Sequence, residues 1–510
     1  MFFGPMQARA LHRHRVKQTA AVLGAALLLG LPGRVPGQEA VRYAVAPAAT
    51  DPQGVSTTVH LTLSLPSDFS PGPVTLIMPR AIPMGYGRQL YDQFVSLPQA
   101  TTRSGRVVKA TRQLGPRWLL ATDAAQGADP VSRIDYEVDL RAMEAAVLSG
   151  GDSSRCRPGY IALLGYSVFA YVDGLEARPV ELTIAPPANQ PAWPVFSTLA
   201  PQAPARPGSF RTTAVDFYGL ADSQILIGPG FQVRQLKGTP PLFLAWRAEA
   251  GLAEDRLEPL AEQAYAAMIN YFGTAPFPHY SLVFEFLQPL SARHDYGFAM
   301  EHMQSATFGA VAADAPGAGL PEEQAAGWRY HIAHHVAHAW IPKRCAGEGY
   351  FPFRWELAPL IDTIWFSEGF GQYAAADALS DVLPLSAEGR PYRDALVESR
   401  FRAQLARMPE FLREMPLTDV SRVASTVYAE DFRTGITVFA RGGLMARDMD
   451  DLIREKSGGK KRLRDALRAL VAWSQNSPRA FRIDELPVIF QTATGVDTRA
   501  VMDRWLAGMK

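Results

Sequence analysis

The hydrophobic period of this chain changes once, near residue 236, and that change limits the fold more than any other feature. Upstream of it short runs alternate: Val59, Leu61, Leu63 and Leu65, then Ile134, Tyr136, Val138 and Leu140, then Val180, Leu182 and Ile184. A period of two bounded by Pro and Gly predicts half-buried strands, so residues 38–235 are expected to form an antiparallel β domain. A Pro- and Ala-rich stretch over 186–207 reads as a long ordered loop. Downstream, 242–246 and 280–287 are strand-like and longer helical patterns follow. Residues 322–341 predict a helix stopped by Pro342. Further helices are expected near 357–380, 394–413, 436–456, 460–474 and 498–508. Strands followed by many helices over 236–510 predict a separate, mostly helical α+β domain.

The N-terminus predicts an address rather than a fold. Arg9, Arg13, Arg15 and Lys17 precede an apolar run from Thr19 to Leu31, followed by Pro32, Gly33 and Pro36. That layout is a secretory signal over residues 1–37, cleaved near Gly37. The run is short of the ~20 residues a spanning helix needs, so an uncleaved anchor is the lesser alternative. The mature protein is expected to be exported, periplasmic or extracellular. Lys and Arg total 51 against 50 Asp and Glu, which leaves no net field for a polyanion and argues against nucleic acid as a partner. Cys156 and Cys345 are the only cysteines, too few for a disulfide framework but compatible with one bridge in an oxidising compartment. Two buried free thiols are the competing expectation.

Within the predicted helix at 322–341, His331, His334, His335 and His338 fall inside a stripe of about 100° at 3.6 residues per turn. Both His331/His335 and His334/His338 have the i,i+4 spacing that lets two imidazoles converge on one ion, so spacing alone leaves the register open. A histidine-rich face without metal is open as well. Thirty residues past His338, Glu368 stands among Trp365, Phe366 and Phe370. A carboxylate on an apolar helix needs a partner, either a metal dication or a basic side chain. Two imidazoles and one carboxylate leave a fourth tetrahedral position for water, the open arrangement of hydrolytic zinc.

These residues resemble a known family. Gly297-Phe-Ala-Met-Glu301-His302, then His334-x-x-x-His338-x-Trp340-x-x-Lys343-Arg344, then Trp365-x-x-Glu368-Gly369-Phe370 are similar to the glycyl aminopeptidase family of gluzincin metallopeptidases. The likeness extends to Leu220-Ala-Asp222-Ser223 with Gly228, to Arg441-Gly442 with Asp450, Ile453 and Arg454, and weakly to 78–86 and 503–508. It implies an N-terminal β domain, a thermolysin-like catalytic domain and one zinc ion held by His334, His338 and Glu368. The position of Trp340 sets that register and leaves His331 outside it. Glu301, with Gly297, would line the substrate site and receive the free amino terminus of a peptide. The PDZ domain common in the family is not recognisable here.

The sequence departs from the family pattern at two places. His335 stands where a glutamate takes a proton from metal-bound water and returns it to the leaving amine. Val438 and Phe439 stand where a tyrosine pair would supply the phenol that stabilises the oxyanion, and neither donates a hydrogen bond. Tyr428 is a substitute phenol offset by ten residues. Losing acid/base assistance costs about 10²–10⁴ in rate and losing an oxyanion donor about 10²–10³. The resemblance with these changes implies a weak or inactive peptidase that still binds zinc and engages peptides or a partner. The alternatives are an active zinc aminopeptidase using His335 as base, and a zinc centre acting on esters.

Overall fold

A computed structural model describes residues 38–510 except 70–72, 121–128, 149–151, 295, 352, 384–388, 478 and 509–510. The expected signal at 1–37 lies outside the described residues. Among the described residues no helix is long and apolar enough to cross a membrane.

The alternating runs become the first sheet. Thr58–Ser64 and Val131–Asp139 pair antiparallel, with Leu61 opposite Tyr136 and Leu63 opposite Ile134, and all four side chains are buried. Such apolar cross-strand pairs are the unit of sheet stabilisation. Seven strands form this sheet, in the order 210–214, 180–184, 41–47, 58–64, 131–139, 95–102, 107–109. Val41–Pro47 and Val180–Ile184 run parallel, which the long excursion of chain between them allows. A five-stranded and a four-stranded sheet complete this half. The stretch at 186–207 is not loop throughout: Pro194–Ser197 pairs with Gln224–Ile227.

Gln232–Leu236 opens a second five-stranded sheet, ordered 232–236, 242–248, 280–287, 305–311, 298–301. Tyr280–Leu287 is buried at every position and parallel to both neighbours, the pattern of a strand covered on both faces. Phe298–Glu301 is an antiparallel edge strand. Helix Glu254–Phe272 and the histidine helix Glu322–Ala337 pack together beside this sheet, and the remaining helices follow. The architecture is therefore α+β: an antiparallel sheet domain followed by a mostly helical one.

Prolines explain where the helices differ from expectation. The histidine helix carries Glu322 and Glu323 in its first turn, at the positive end of the helix dipole. It ends at Ala337, with His338 as its cap, four residues before the expected stop. Pro342 disfavours helical backbone at Ile341, whose carbonyl is instead taken by the His338 ring. The helix expected from 357 begins only at Trp365, because Pro359 interrupts the earlier stretch. Trp365–Phe370 is π-helical and runs into the α-helix Gly371–Leu379. The helix expected at 394–413 is divided at Pro409 into a segment from Tyr392 to Ala406 and a short helix Glu410–Glu414. Leu417–Val427, which the pattern did not mark, is a further helix.

The π-helical segment touches the long helix Phe432–Lys456 backbone to backbone. A side-chain carbon at Gly442 would stand 2.0 Å from the Trp365 carbonyl oxygen, and one at Gly369 would stand 2.4 Å from the Gly442 Cα. Only glycine permits that approach at both positions.

The bridge between Cys156 and Cys345 is not formed; both thiols are free. Cys156 is buried in the core of the first half. Cys345 is buried in the core of the second, where Ser474 Oγ donates to its sulfur at 3.1 Å. Burial pushes the two thiols up, to about 11 and about 12 respectively, so neither is a ready nucleophile.

Candidate metal centre

The last turn of the histidine helix faces the π-helical segment, and three of the expected residues converge there. His334 Nε2 lies 3.2 Å from His338 Nε2 and 3.3 Å from Glu368 Oε2, and His338 Nε2 lies 3.6 Å from the same oxygen. All three side chains are buried. A π turn at Glu368 places it within this cluster, and such turns recur at functional sites.

Partners on the far side of His338 and Glu368 hold their orientation, while His334 Nδ1 has no hydrogen-bond partner among the described residues. His338 donates from Nδ1 to the Ile341 carbonyl at 2.8 Å, which turns Nε2 toward Glu368. Glu368 Oε1 accepts from the Tyr86 hydroxyl at 2.9 Å, and that hydroxyl also meets Ser367 Oγ at 3.0 Å and Tyr350 Oη at 3.1 Å. Glu368 Oε2 is thereby left for the histidines. Tyr86 comes from the N-terminal half, so both halves of the chain build the centre. Nothing in the sequence marked Tyr86 beyond the weak likeness at 78–86.

His335 sits beside this trio, whereas Phe439 reaches it only through Tyr428, which packs on Tyr86. His335 Nδ1 is 3.6 Å from Glu301 Oε2, too long for a hydrogen bond, and its ring meets Phe308 edge-on at 5.3 Å. Glu301, at the end of the edge strand, is buried; Gly297, just before that strand, is exposed. Phe439 is half-buried, 5.9 Å from Phe432 and 6.1 Å from Tyr428 between ring centres. The Tyr428 ring lies 5.4 Å from that of Tyr86, and its phenol is pushed up by burial and then by the Glu368 and Glu301 charges. Tyr428, the cap residue after Leu417–Val427, thus packs on Tyr86 from a different element than Phe439. His331 lies apart, its Nε2 accepting from Arg400 at 2.7 Å.

Other matched residues serve as frame. Lys343 donates to the Pro83 carbonyl at 2.6 Å, and Arg344 to the carbonyls of Met303 and Ala339 at 2.6 and 2.7 Å. Asp222 accepts from the Met303 amide at 2.6 Å and faces His302 Nδ1 at 3.0 Å. Trp340 stacks on Phe272 at 4.5 Å.

The electrostatics favour a cation. Burial opposes charge on His338, but Glu301 and then Glu368 more than offset it, and its pKa rises to about 9. Burial would raise Glu301, yet His338, His335 and Lys343 hold it down at about 2. Burial and the neighbouring His338 push His334 down to about 4. Two carboxylates thus stay ionised in a buried cluster, where uncompensated charge is costly.

Residues 42–229 match the family described as the Peptidase M61 N-terminal domain. Among solved structures the fold is similar to the aminopeptidase N family protein from Idiomarina loihiensis, at 18% identity and a TM-score of 0.78 over 92% of this chain and 76% of that one. It is also similar to an M1 zinc metallopeptidase from Deinococcus radiodurans, at 17% identity and 0.51 over 94% and 95%. A mutant of that protein, bound to a Tyr-Ser-Ala substrate, matches at 16% identity and 0.50 over 96% and 98%. No curated protein matches this chain. The scaffold is zinc-metallopeptidase-like.

On this zinc-metallopeptidase-like scaffold the trio can be tested for fit. A tetrahedron with zinc bonds of about 2.0–2.1 Å has edges of about 3.3–3.4 Å. The three observed separations, 3.2, 3.3 and 3.6 Å, bracket that value. Two neutral imidazoles and a carboxylate match the ligand chemistry of zinc, and the Tyr86 and Ile341 contacts are the outer partners such ligands need. The residues fit the ion.

Proposed function

We propose that this chain is an exported zinc-binding protein of the aminopeptidase type whose peptide hydrolysis is weak or absent, and which engages a peptide or protein partner. His334, His338 and Glu368 would hold the ion, which when bound supplies Lewis acidity to a carbonyl oxygen. The basic cluster and apolar run before residue 37 support export.

One observation carries the reading. The trio keeps the dimensions of a zinc face, while the side chain in the base position, His335, approaches Glu301 at 3.6 Å. Glu301 is the carboxylate that would receive a substrate's amino terminus, so those two groups face each other. The helix that would offer a phenol offers Phe439. Losing the base and the oxyanion donor removes about 10²–10⁴ and about 10²–10³ in rate, and the two losses overlap in part.

The Glu301 contact also favours a second reading. A carboxylate can orient an imidazole for proton transfer, so His335 would act as general base, with Tyr428 as the phenol. The two readings separate on zinc content and turnover of an amino-acid substrate panel, for wild type, His335→Glu, and His335→Glu with Phe439→Tyr. The first expects bound zinc, an inert wild type and activity gained in the double variant. Wild-type turnover abolished by chelation establishes the second. Absence of zinc from every form defeats both.

A further inference from the structure

One residue of the histidine stripe has no part in the centre. His331 stands one helical turn before His335, about 5.4 Å along the axis, and is exposed. Its Nε2 meets an Arg400 nitrogen at 2.7 Å; a guanidinium can only donate, so that ring nitrogen is the acceptor and the imidazole is neutral. The Arg400 guanidinium also lies over the Tyr330 ring, 5.0 Å from its centre. Tyr330 in turn donates to Gln372 Oε1 at 2.6 Å, one turn beyond Glu368. A neutral acceptor and an aromatic face therefore hold this cation without cancelling its charge. On the same helical segment Arg393 meets Asp394 at 3.2 Å and Arg402 meets Glu398 at 3.7 Å. No carboxylate among the described residues lies within 4.0 Å of Arg400, which is partly exposed.

We propose that Arg400, held by His331 and Tyr330, anchors the C-terminal carboxylate of a short peptide laid along the histidine helix with its free amino terminus at Glu301. The inference rests on the peptide-binding reading above and deepens it by naming the ligand class. A planar guanidinium with unused N–H groups takes a carboxylate through two parallel hydrogen bonds, and one already fixed against an aromatic ring loses little freedom in doing so. Glu301 lies 3.6 Å from His335, His335 stands one turn from His331, and Arg400 lies 2.7 Å beyond His331. Those steps put the amine and carboxylate sites roughly 10 Å apart, the reach of about three extended residues at about 3.3–3.6 Å each. Charge fits as well as length. A buried carboxylate at one end and an uncompensated guanidinium at the other match the two charged ends of a free tripeptide. A chain that continued past its third residue would bring only a neutral amide to Arg400.

The test is isothermal titration calorimetry of the zinc-loaded full chain with trialanine, as the free acid and as the C-terminal amide. Wild type should bind the free acid about 10–100-fold more tightly than the amide. Arg400→Gln should remove that preference while leaving zinc content and affinity for the amide unchanged, and Arg400→Lys should keep part of it, since a point charge remains without the fork. The comparison of acid with amide in wild type needs no variant. Equal affinity for the two, or a preference that survives in Arg400→Gln, overturns the anchor and leaves peptide binding intact. A third probe, Ala-Ala-Asp as its C-terminal amide, separates the two sources of a carboxylate and should bind no better than trialanine amide. If it binds as tightly as the free acid and Arg400→Gln abolishes the gain, the anchor takes an acidic side chain and the terminal assignment is overturned. No binding of any probe by zinc-loaded wild type overturns the anchor and the peptide-binding reading together.

Discussion

Two buried charge clusters lie in the helical half, and they are solved differently. Asp377 is met by Arg464 at 3.1 Å and Arg393 at 3.7 Å, with Arg462 also on its carboxylate, while Asp450 accepts from Tyr373 at 2.8 Å and from the Leu463 amide at 2.7 Å. Guanidinium groups saturate that cluster. Glu301 and Glu368 instead face imidazoles, with the Tyr86 hydroxyl also on Glu368, and no such cation is in contact among the described residues. Arginine brings a fixed charge of its own and closes a structural site, whereas histidine brings a lone pair and keeps a place for an ion. A further carboxylate, Asp152, is buried with neither kind of ion pair among the described residues. Burial pushes it up to about 7, only partly opposed by Gln89 and Arg155.

That contrast can be broken at each point. His338→Ala should abolish ion binding, losing more than the roughly 10–100-fold that removal of an outer partner costs, while circular dichroism stays native. Asp377→Asn should leave ion affinity unchanged and lower stability to chemical denaturation by about 3–5 kcal/mol, because it strands buried arginines. If Asp377→Asn altered the ion and spared the fold, the two clusters would not be different in kind.

Asp152 gives a pH test. Its folded pKa of about 7 lies above its unfolded 3.8, so the native state holds the proton more tightly and stability falls as pH rises between those values. Asp152→Asn should therefore be neutral below pH 4 and stabilising by about 2–4 kcal/mol above pH 7, read from melts across pH. The smallest effect belongs to Tyr86→Phe. Loss of its hydrogen bond to Glu368 should weaken ion affinity by about 10–100-fold with little change in melting of the ion-free chain.

Periodicity was enough to find the two halves, because alternating Val, Leu and Ile runs face a core on one side only. The trio was legible in type and spacing, but its register was not, since both histidine pairs share i,i+4 spacing. Three features were invisible from residue order. The π turn at Glu368 depends on backbone hydrogen bonding that no residue type dictates. Tyr86 reaches the centre from the other half of the chain, a separation of 282 positions that local pattern cannot bridge. The approach of His335 to Glu301 depends on how an edge strand lies beside a helix. Where prolines followed a helical pattern, at Pro342, Pro359 and Pro409, periodicity overran the true ends.

The glycine contact between Trp365–Phe370 and Phe432–Lys456 has a bearing on how such a protein changes over generations. Gly369 adjoins Glu368, and Gly442 lies three positions beyond Phe439, so the ligand is braced by main chain while the neighbouring aromatic position is free to vary. A tyrosine there can drift to phenylalanine without moving the carboxylate, whereas either glycine cannot drift at all without parting the helices. Position 439 can therefore exchange one side chain for another while the main-chain brace keeps the Glu368 carboxylate where it is.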